Sequence, residues 1–399
     1  MIRSTQSAVA FVLAFVFVGW ASVSGAQPRH ARLSSDLQSH LRSGSARTVD
    51  VIVNGTPDRI QRLARRYGLS VRKGLATGAV LSATPQALEA LAADAEVDAV
   101  SADAEVRSQM AVTTQTTGAE AAWSGLVQTL GRTTGRGVGV AIIDSGIAAH
   151  PALAGKVVVN LDFTAERGRG VDRYGHGTHI AGIVAGRGFD QFVSDADSGM
   201  APGAHLLNLK VLDANGSGRV SDVVAAIDWA IQNRQRYAIR VLNLSLGTPP
   251  TQSYRDDPLC GGGAGRAGGP GRGGVGGQLR PDAGRPHGAG QRDLAGHPPF
   301  AITVGALRTQ GTVDPSDDEV APWSSRGPTM VDHIVKPDLV APGSRIISTA
   351  AAGSQLIQQF PDRVIDGPGP LDYVTMSGTS MSAAVVSGAV ALLLESSRC

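Results

Sequence analysis

Apolar positions recur along the chain in two different rhythms, with the change near residue 110. Val49-Asp50-Val51-Ile52-Val53 begins with the alternation of a half-buried strand. Thr56 and Pro57 then open a helix predicted over 57–67, a capping hydroxyl followed by a proline at the first helical position. Strands are predicted at 70–75 and 78–83. A helix follows at 85–93 with Leu88 and Leu91 on one face, and a last strand at 97–100. This βαββαβ order, across residues 47–107, predicts a small ferredoxin-like α+β unit. Such a fold hosts many uses, so the order alone names no function. Residues 101–117 are polar and rich in Gln and Thr, and read as a linker.

From Gly137 the pattern becomes α/β. Val138-Gly139-Val140-Ala141-Ile142-Ile143 is a short apolar run ending at Asp144, suited to a parallel strand buried on both faces. Further strands are predicted at 206–212, 239–246 and 300–304, and helices at 179–186 and 385–394. Ser221 is expected to cap another helix that buries Val224, Ile227 and Ile231. This alternation predicts a parallel sheet with helices on both faces. One stretch breaks it. Residues 261–298 carry 15 glycines in 38 positions and show neither helical nor strand periodicity. A structureless loop of that length inside a compact domain needs a special cause.

Composition narrows the class. The 399 residues are 42% hydrophobic and 18% charged, with a formal net charge of +2. That excludes a wholly disordered chain and a multispanning membrane protein, and gives no electrostatic case for nucleic acid. Cys260 and Cys399 are the only cysteines, too few for a disulfide scaffold or a Cys₄ zinc site. Gly and Arg are abundant, and the only lysines are Lys73, Lys156, Lys210 and Lys336. This bias points to a GC-rich gene. At the N-terminus, Arg3, an apolar run over 8–21 and Ser24-Gly25-Ala26 read as a secretory signal over 1–26. The run is shorter than the ~20 residues of a spanning helix, so no stable membrane anchor is expected.

Three segments carry chemistry. Asp144 ends its strand in Ile143-Asp144-Ser145-Gly146. His176 lies in Gly175-His176-Gly177-Thr178-His179. Ser380 lies in Gly378-Thr379-Ser380-Met381-Ser382, before an apolar helix. A hydroxyl to attack, an imidazole to take its proton and a carboxylate to orient the imidazole are what nucleophilic acyl transfer needs. Asp144 stands at a carboxyl strand end, where open α/β sheets place their sites. Ser380 stands where free helix N–H groups favour an oxyanion. Other readings fit less well. His176 and His179 as metal ligands lack a third ligand nearby. Ser382 replaces the last glycine of a Gly-x-Ser-x-Gly elbow. Gly135-x-Gly137-x-Gly139 precedes its strand, unlike a dinucleotide fingerprint.

At these residues, and in the chain order Asp, His, Ser, the sequence resembles the subtilisin-like serine proteases (subtilases, peptidase family S8). Leu242-Asn243-Leu244-Ser245-Leu246-Gly247 resembles the family's substrate strand, and Ser324-Ser325-Arg326-Gly327-Pro328 a family core segment. The resemblance covers roughly residues 137–395. It implies a secreted serine endopeptidase acting on polypeptides. Ser380 would be the nucleophile, His176 the general acid/base and Asp144 its orienting partner, with Ser245, Leu246 and Gly247 binding substrate. It further implies a zymogen in which residues 27–110 are a propeptide that inhibits the catalytic domain, 111–399, intramolecularly. The mature chain would begin near Met110. A monomer is expected. No cofactor is required; calcium is common in the family, but no ligand set carries over.

The sequence departs from the family in one respect that matters. Subtilases carry an oxyanion-binding Asn between the substrate strand and the Ile-Thr-Val-Gly-Ala strand, yet no Asn occurs from Leu246 to Phe300. The strand and helix that should carry it are missing from the pattern. Gly277-Gln278-Leu279-Arg280-Pro281 can be written GGG CAA CTC CGG CCG. Read one base later, this encodes Gly-Asn-Ser-Gly. Residues 294–298 can hide Thr-Ser-Pro-Gly-Thr in the same shifted frame. A paired frame slip near Cys260 and Pro298 is one reading, and a genuine Gly/Arg-rich insertion is the other. The chain also stops sooner after the serine helix than the family usually does, so a truncated C-terminus is expected. The rival to an active protease is therefore a catalytically impaired relative that lacks the oxyanion Asn. A secreted structural protein with a Gly/Arg-rich binding loop is a third possibility.

Overall fold

The computed structural model describes residues 31–103, 105–107, 133–187, 198–247, 251–260, 273–277, 299–309, 316, 318–365 and 372–397. The signal over 1–26, Met110 and most of 261–298 lie outside them.

Residues 31–103 form the first unit. Its strands are β1 (Arg32–Leu33), β2 (Val49–Asn54), β3 (Ser70–Leu75), β4 (Gly78–Ala83) and β5 (Ala99–Ala102), ordered β1-β5-β2-β4-β3. Three helices accompany them: α1 (Ser35–Arg42), α2 (Pro57–Tyr67) and α3 (Pro85–Ala92). The predicted βαββαβ core is present, with β1 and α1 added before it. Local chemistry explains the helix limits. Thr56 accepts from Arg59 N and Thr84 from Ala87 N, each with a proline next in the chain, and Gly68 ends α2 with φ +63°. The expected linker is partly strand instead, because Ser101 and Ala102 pair with β2. The following β6 (Glu105–Arg107) pairs with the second unit.

The second unit is built on a parallel sheet ordered β14-β13-β12-β11-β7-β9-β8, with β15 also against β13. Its members are β7 (Gly139–Asp144), β8 (Val157–Asp162), β9 (His205–Lys210), β11 (Ile239–Leu244), β12 (Gly273–Gly277), β13 (Ile302–Arg308), β14 (Glu319–Val320) and β15 (Leu339–Pro342). Among the described residues of this sheet only the β13–β14 pair is antiparallel. Every residue of β7 is buried, as an apolar run without alternation requires. Helices α4 (His176–Ala185), α5 (Val220–Gln232), α6 (Gln355–Gln359) and α7 (Thr379–Ser396) complete the unit. Two further pieces are the short β10 (Ser217–Arg219) and the antiparallel trio β16 (Ile346–Thr349), β17 (Val364–Ile365) and β18 (Tyr373–Met376). Helix α7 is long and apolar enough to cross a membrane by composition, but it is a core helix packed against α4 and the sheet.

Two expectations are corrected. The sheet does not lack a central member. Gly273–Gly277 pairs in parallel with β11 on one side and β13 on the other. Its glycines supply ladder hydrogen bonds without the side chains on which periodicity depends. Ser221, in turn, is not a helix cap. It lies inside the first turn of α5, whose N-cap position is Arg219 and makes no side-chain cap.

The two units share a face. Ile52 and Val80 of the first pack with Val220, Val223, Val224 and Ile227 of the second in one buried cluster. Polar contacts ring it: Lys73 with Asp222, Asp103 with Ser221, and Ala76 N with Asp228 Oδ2. The segment from Thr251 to Cys260 adds an Arg32–Asp256 pair and a bond from Gln252 Nε2 to Ser101 Oγ.

Candidate active site

Asp144 ends β7 and His176 begins α4, and the structure brings their side chains together. The imidazole Nδ1 lies 2.8 and 3.0 Å from the two carboxylate oxygens of Asp144. Both residues are fully buried. Gly177 permits this approach, since a Cβ there would lie 2.2 Å from Gly146 O and 3.2 Å from the Asp144 Cβ. The acid turn is tied to the helix start as well. Ser145 N donates to Asp144 Oδ1, and Gly177 N donates to Ser145 Oγ.

Asp172 organises the approach to His176. Its carboxylate accepts from Ser145 Oγ, Gly175 N, Tyr174 N and both the N–H and hydroxyl of Thr178. Burial pushes this carboxyl above the usual carboxylate range, and the Thr178, Gly175 and Ser145 donors oppose the rise. Tyr174 is pushed up to about 12 by burial and by the neighbouring Asp144 and Asp172.

Ser380 is the second residue of α7, so its N–H lacks an intrahelical acceptor. Its Oγ donates to Ser245 O at a long 3.4 Å, while Ser245 Oγ donates back to Ser380 O. Among the described residues the His176 Nε2 has no hydrogen-bond partner, so no bond joins His176 to Ser380. Ser245 and Leu246 are fully buried and Gly247 is buried beside them. Asn243 is not a spare oxyanion donor. Its Nδ2 is engaged by Ser245 Oγ and its Oδ1 by Ser387 Oγ.

Residues 135–398, about two thirds of the chain, match the family model described as the subtilase family. The chain belongs to the subtilase family. A relative, the serine protease AprX of Bacillus subtilis, is 36% identical over 270 residues, which are 66% of this chain and 58% of AprX. An extracellular serine proteinase of a Thermus species is 30% identical over 327 residues, 80% of this chain and 66% of that protein. Fervidolysin from Fervidobacterium pennivorans, a keratinolytic enzyme related to subtilisin, superposes with a TM-score of 0.65 at 21% identity. That match covers 92% of this chain and 57% of fervidolysin, and shows the fold alone. The chain thus spans less than two thirds of each of these proteins.

In this subtilase, sequence reasoning missed a strand edge whose turn lies against the Tyr174 ring. Strand β10 pairs antiparallel with Glu105–Arg107 of the preceding segment, in the register Ser217↔Arg107, Gly218↔Val106 and Arg219↔Glu105. The available signal was the Asn215-Gly216 turn in a stretch otherwise assigned no element. His179 is a packing group. Its Nε2 lies 3.0 Å from both Ile346 O and Val374 O, locking α4 to the β16–β18 ribbon. Among the described residues no group of three or more metal-capable side chains gathers. No step below is routed through the calcium that the family resemblance implies.

Proposed function

We propose that the chain is a secreted serine endopeptidase that cleaves polypeptides through Asp144, His176 and Ser380. The observation that carries this reading is the buried Asp144–His176 pair, with Nδ1 engaged and Nε2 left open, on a helix that packs against the Ser380 helix. Asp144 holds the imidazole with its proton on Nδ1 and stabilises the imidazolium. His176 Nε2 takes the Ser380 proton as Oγ attacks the scissile carbonyl, and later returns it to the leaving amine. The acyl-enzyme at Ser380 is then hydrolysed by water along the same route. The Ser380 N–H contributes to the oxyanion site.

Substrate is read as an extended strand lying between Ser245–Leu246–Gly247 and the β10 edge, held by main-chain bonds. Segment Glu105–Arg107 already occupies that edge, which supports residues 27–110 as an intramolecular inhibitor. The 1–26 signal read from the sequence and the extracellular Thermus relative support secretion. The missing Asn between Leu246 and Phe300 favours a second reading, an impaired member of the family. Labelling the full chain with a fluorophosphonate decides between them. Modification at Ser380 supports the protease, and a folded chain that stays unlabelled supports the impaired relative.

A further inference from the structure

The mechanism leaves one buried cation beside the acid unused. Lys210 ends β9 in register with Asp144 on the adjacent β7, and is only 1% exposed. A buried ammonium is costly unless its protons are taken up. Here Nζ donates to Leu212 O at 2.7 Å and to Ser145 O at 3.1 Å, and lies 3.8 Å from the Glu166 carboxylate.

The two carbonyls belong to functionally different segments. Ser145 follows the acid directly, and all its polar atoms are engaged: N by Asp144 Oδ1, O by Lys210, Oγ by Asp172 and Gly177 N. Leu212 opens the hairpin that carries β10, through a bridge to Gly218 and a bond from Asp213 N to Ser217 O. One ammonium therefore joins the turn of the acid to the hairpin of the peptide edge.

We propose that Lys210 is a positioning residue for the reaction, fixing the Asp144 turn and the β10 hairpin from one point. This inference rests on the Asp144–His176–Ser380 reading. Releasing the two carbonyls predicts slower acylation and, through the hairpin, weaker binding of an extended peptide.

The test is fluorophosphonate labelling of the full chain, together with hydrolysis of an extended peptide, for the parent, Lys210→Met and Lys210→Arg. Lys210→Met is expected to label ~10-fold more slowly and to show a raised KM for the peptide. A variant that only folded less well would lower the fraction of chain that labels and leave rate constant and KM unmoved. Lys210→Arg keeps the charge but not the point of contact, so it should also label slowly with a raised KM. A parent that does not label at Ser380 overturns the activity reading itself. A parent that labels, with a Lys210→Met variant matching it in rate constant or in KM, overturns the role of Lys210. Should Lys210→Met fail to fold by circular dichroism, Lys210→Arg decides. A slowed rate with a raised KM supports the proposal, and a parental rate or a parental KM overturns it.

Discussion

The Asp103 carboxylate of the first unit receives both the backbone N–H and the hydroxyl of Ser221, at 2.9 and 2.7 Å. Ser221 lies in the first turn of α5, where N–H groups lack intrahelical acceptors and the helix dipole favours an anion. The helix does not cap itself, because its N-cap position is Arg219. The cap comes instead from the segment that leads into Glu105–Arg107. Asp103→Ala should therefore weaken docking of the first unit by ~1–2 kcal/mol. The full-length variant should then label at Ser380 faster than the parent. An unchanged labelling rate would mean that the cap does not help to hold the Glu105–Arg107 segment in place.

His179 makes stability depend on acid. Burial is the largest cause holding it at about 3, well below the ordinary 6.5, with His176 adding to the shift and the Ile346 and Val374 carbonyls opposing it. The folded-state value lies below the unfolded one, so the unfolded chain binds the extra proton. The stabilisation is complete above the unfolded value and is lost as pH falls toward the folded one. The slope is ~1.4 kcal/mol per pH unit for one proton. Urea midpoints at pH values on either side of that ordinary value should show this loss for the parent. A His179→Gln variant, less stable at neutral pH, should show a flatter dependence.

The Asp144–His176 pair predicts a graded series. In a subtilisin, removing the acid alone costs on the order of 10⁴ in turnover, and removing nucleophile or base on the order of 10⁶. Asp144→Asn should lower peptide hydrolysis by about the smaller factor and His176→Ala by about the larger. Ser380→Ala should abolish labelling as well. Equal, small effects of all three would contradict the triad.

Gly216 is a sharper probe of the β10 edge. It has φ +72°, and an added Cβ would lie 2.5 Å from the Tyr174 ring. Tyr174 is buried beside His176, so it has little room to give. Gly216→Ala should displace the hairpin and raise KM for extended peptides more than it lowers kcat. A change confined to kcat would place Gly216 outside substrate binding.

Much of this architecture is legible in the sequence where burial repeats at a fixed period. β7, β9, β11 and the βαββαβ unit follow from apolar spacing and from Thr-Pro helix starts. The family resemblance then supplies the roles of Asp144, His176 and Ser380. What stays hidden depends on contacts between distant segments. Nothing local in Asp103 marks it as the cap of a helix more than 100 residues away. Lys210 reads as one more strand-end lysine until Ser145 O and Leu212 O are found around its ammonium. Gly273–Gly277 is illegible for a different reason. Glycine carries no side-chain pattern, and only pairing to Val241 and Ile302 neighbours reveals the strand.

That glycine strand makes the reading frame testable. It fills the position between β11 and β13, and glycine loses more chain entropy on folding than any other residue. The segment after it has no Asn with which to hold an oxyanion. We propose to compare the present chain with one in which the stretch from Cys260 to Pro298 is encoded in the shifted frame that contains Gly-Asn-Ser-Gly. If a frame slip produced the stretch, the restored chain should gain ~10²–10³ in kcat, the contribution measured for this donor in a subtilisin. A restored chain no faster than the present one would identify the Gly/Arg-rich stretch as a genuine insertion, with its oxyanion donor drawn from elsewhere.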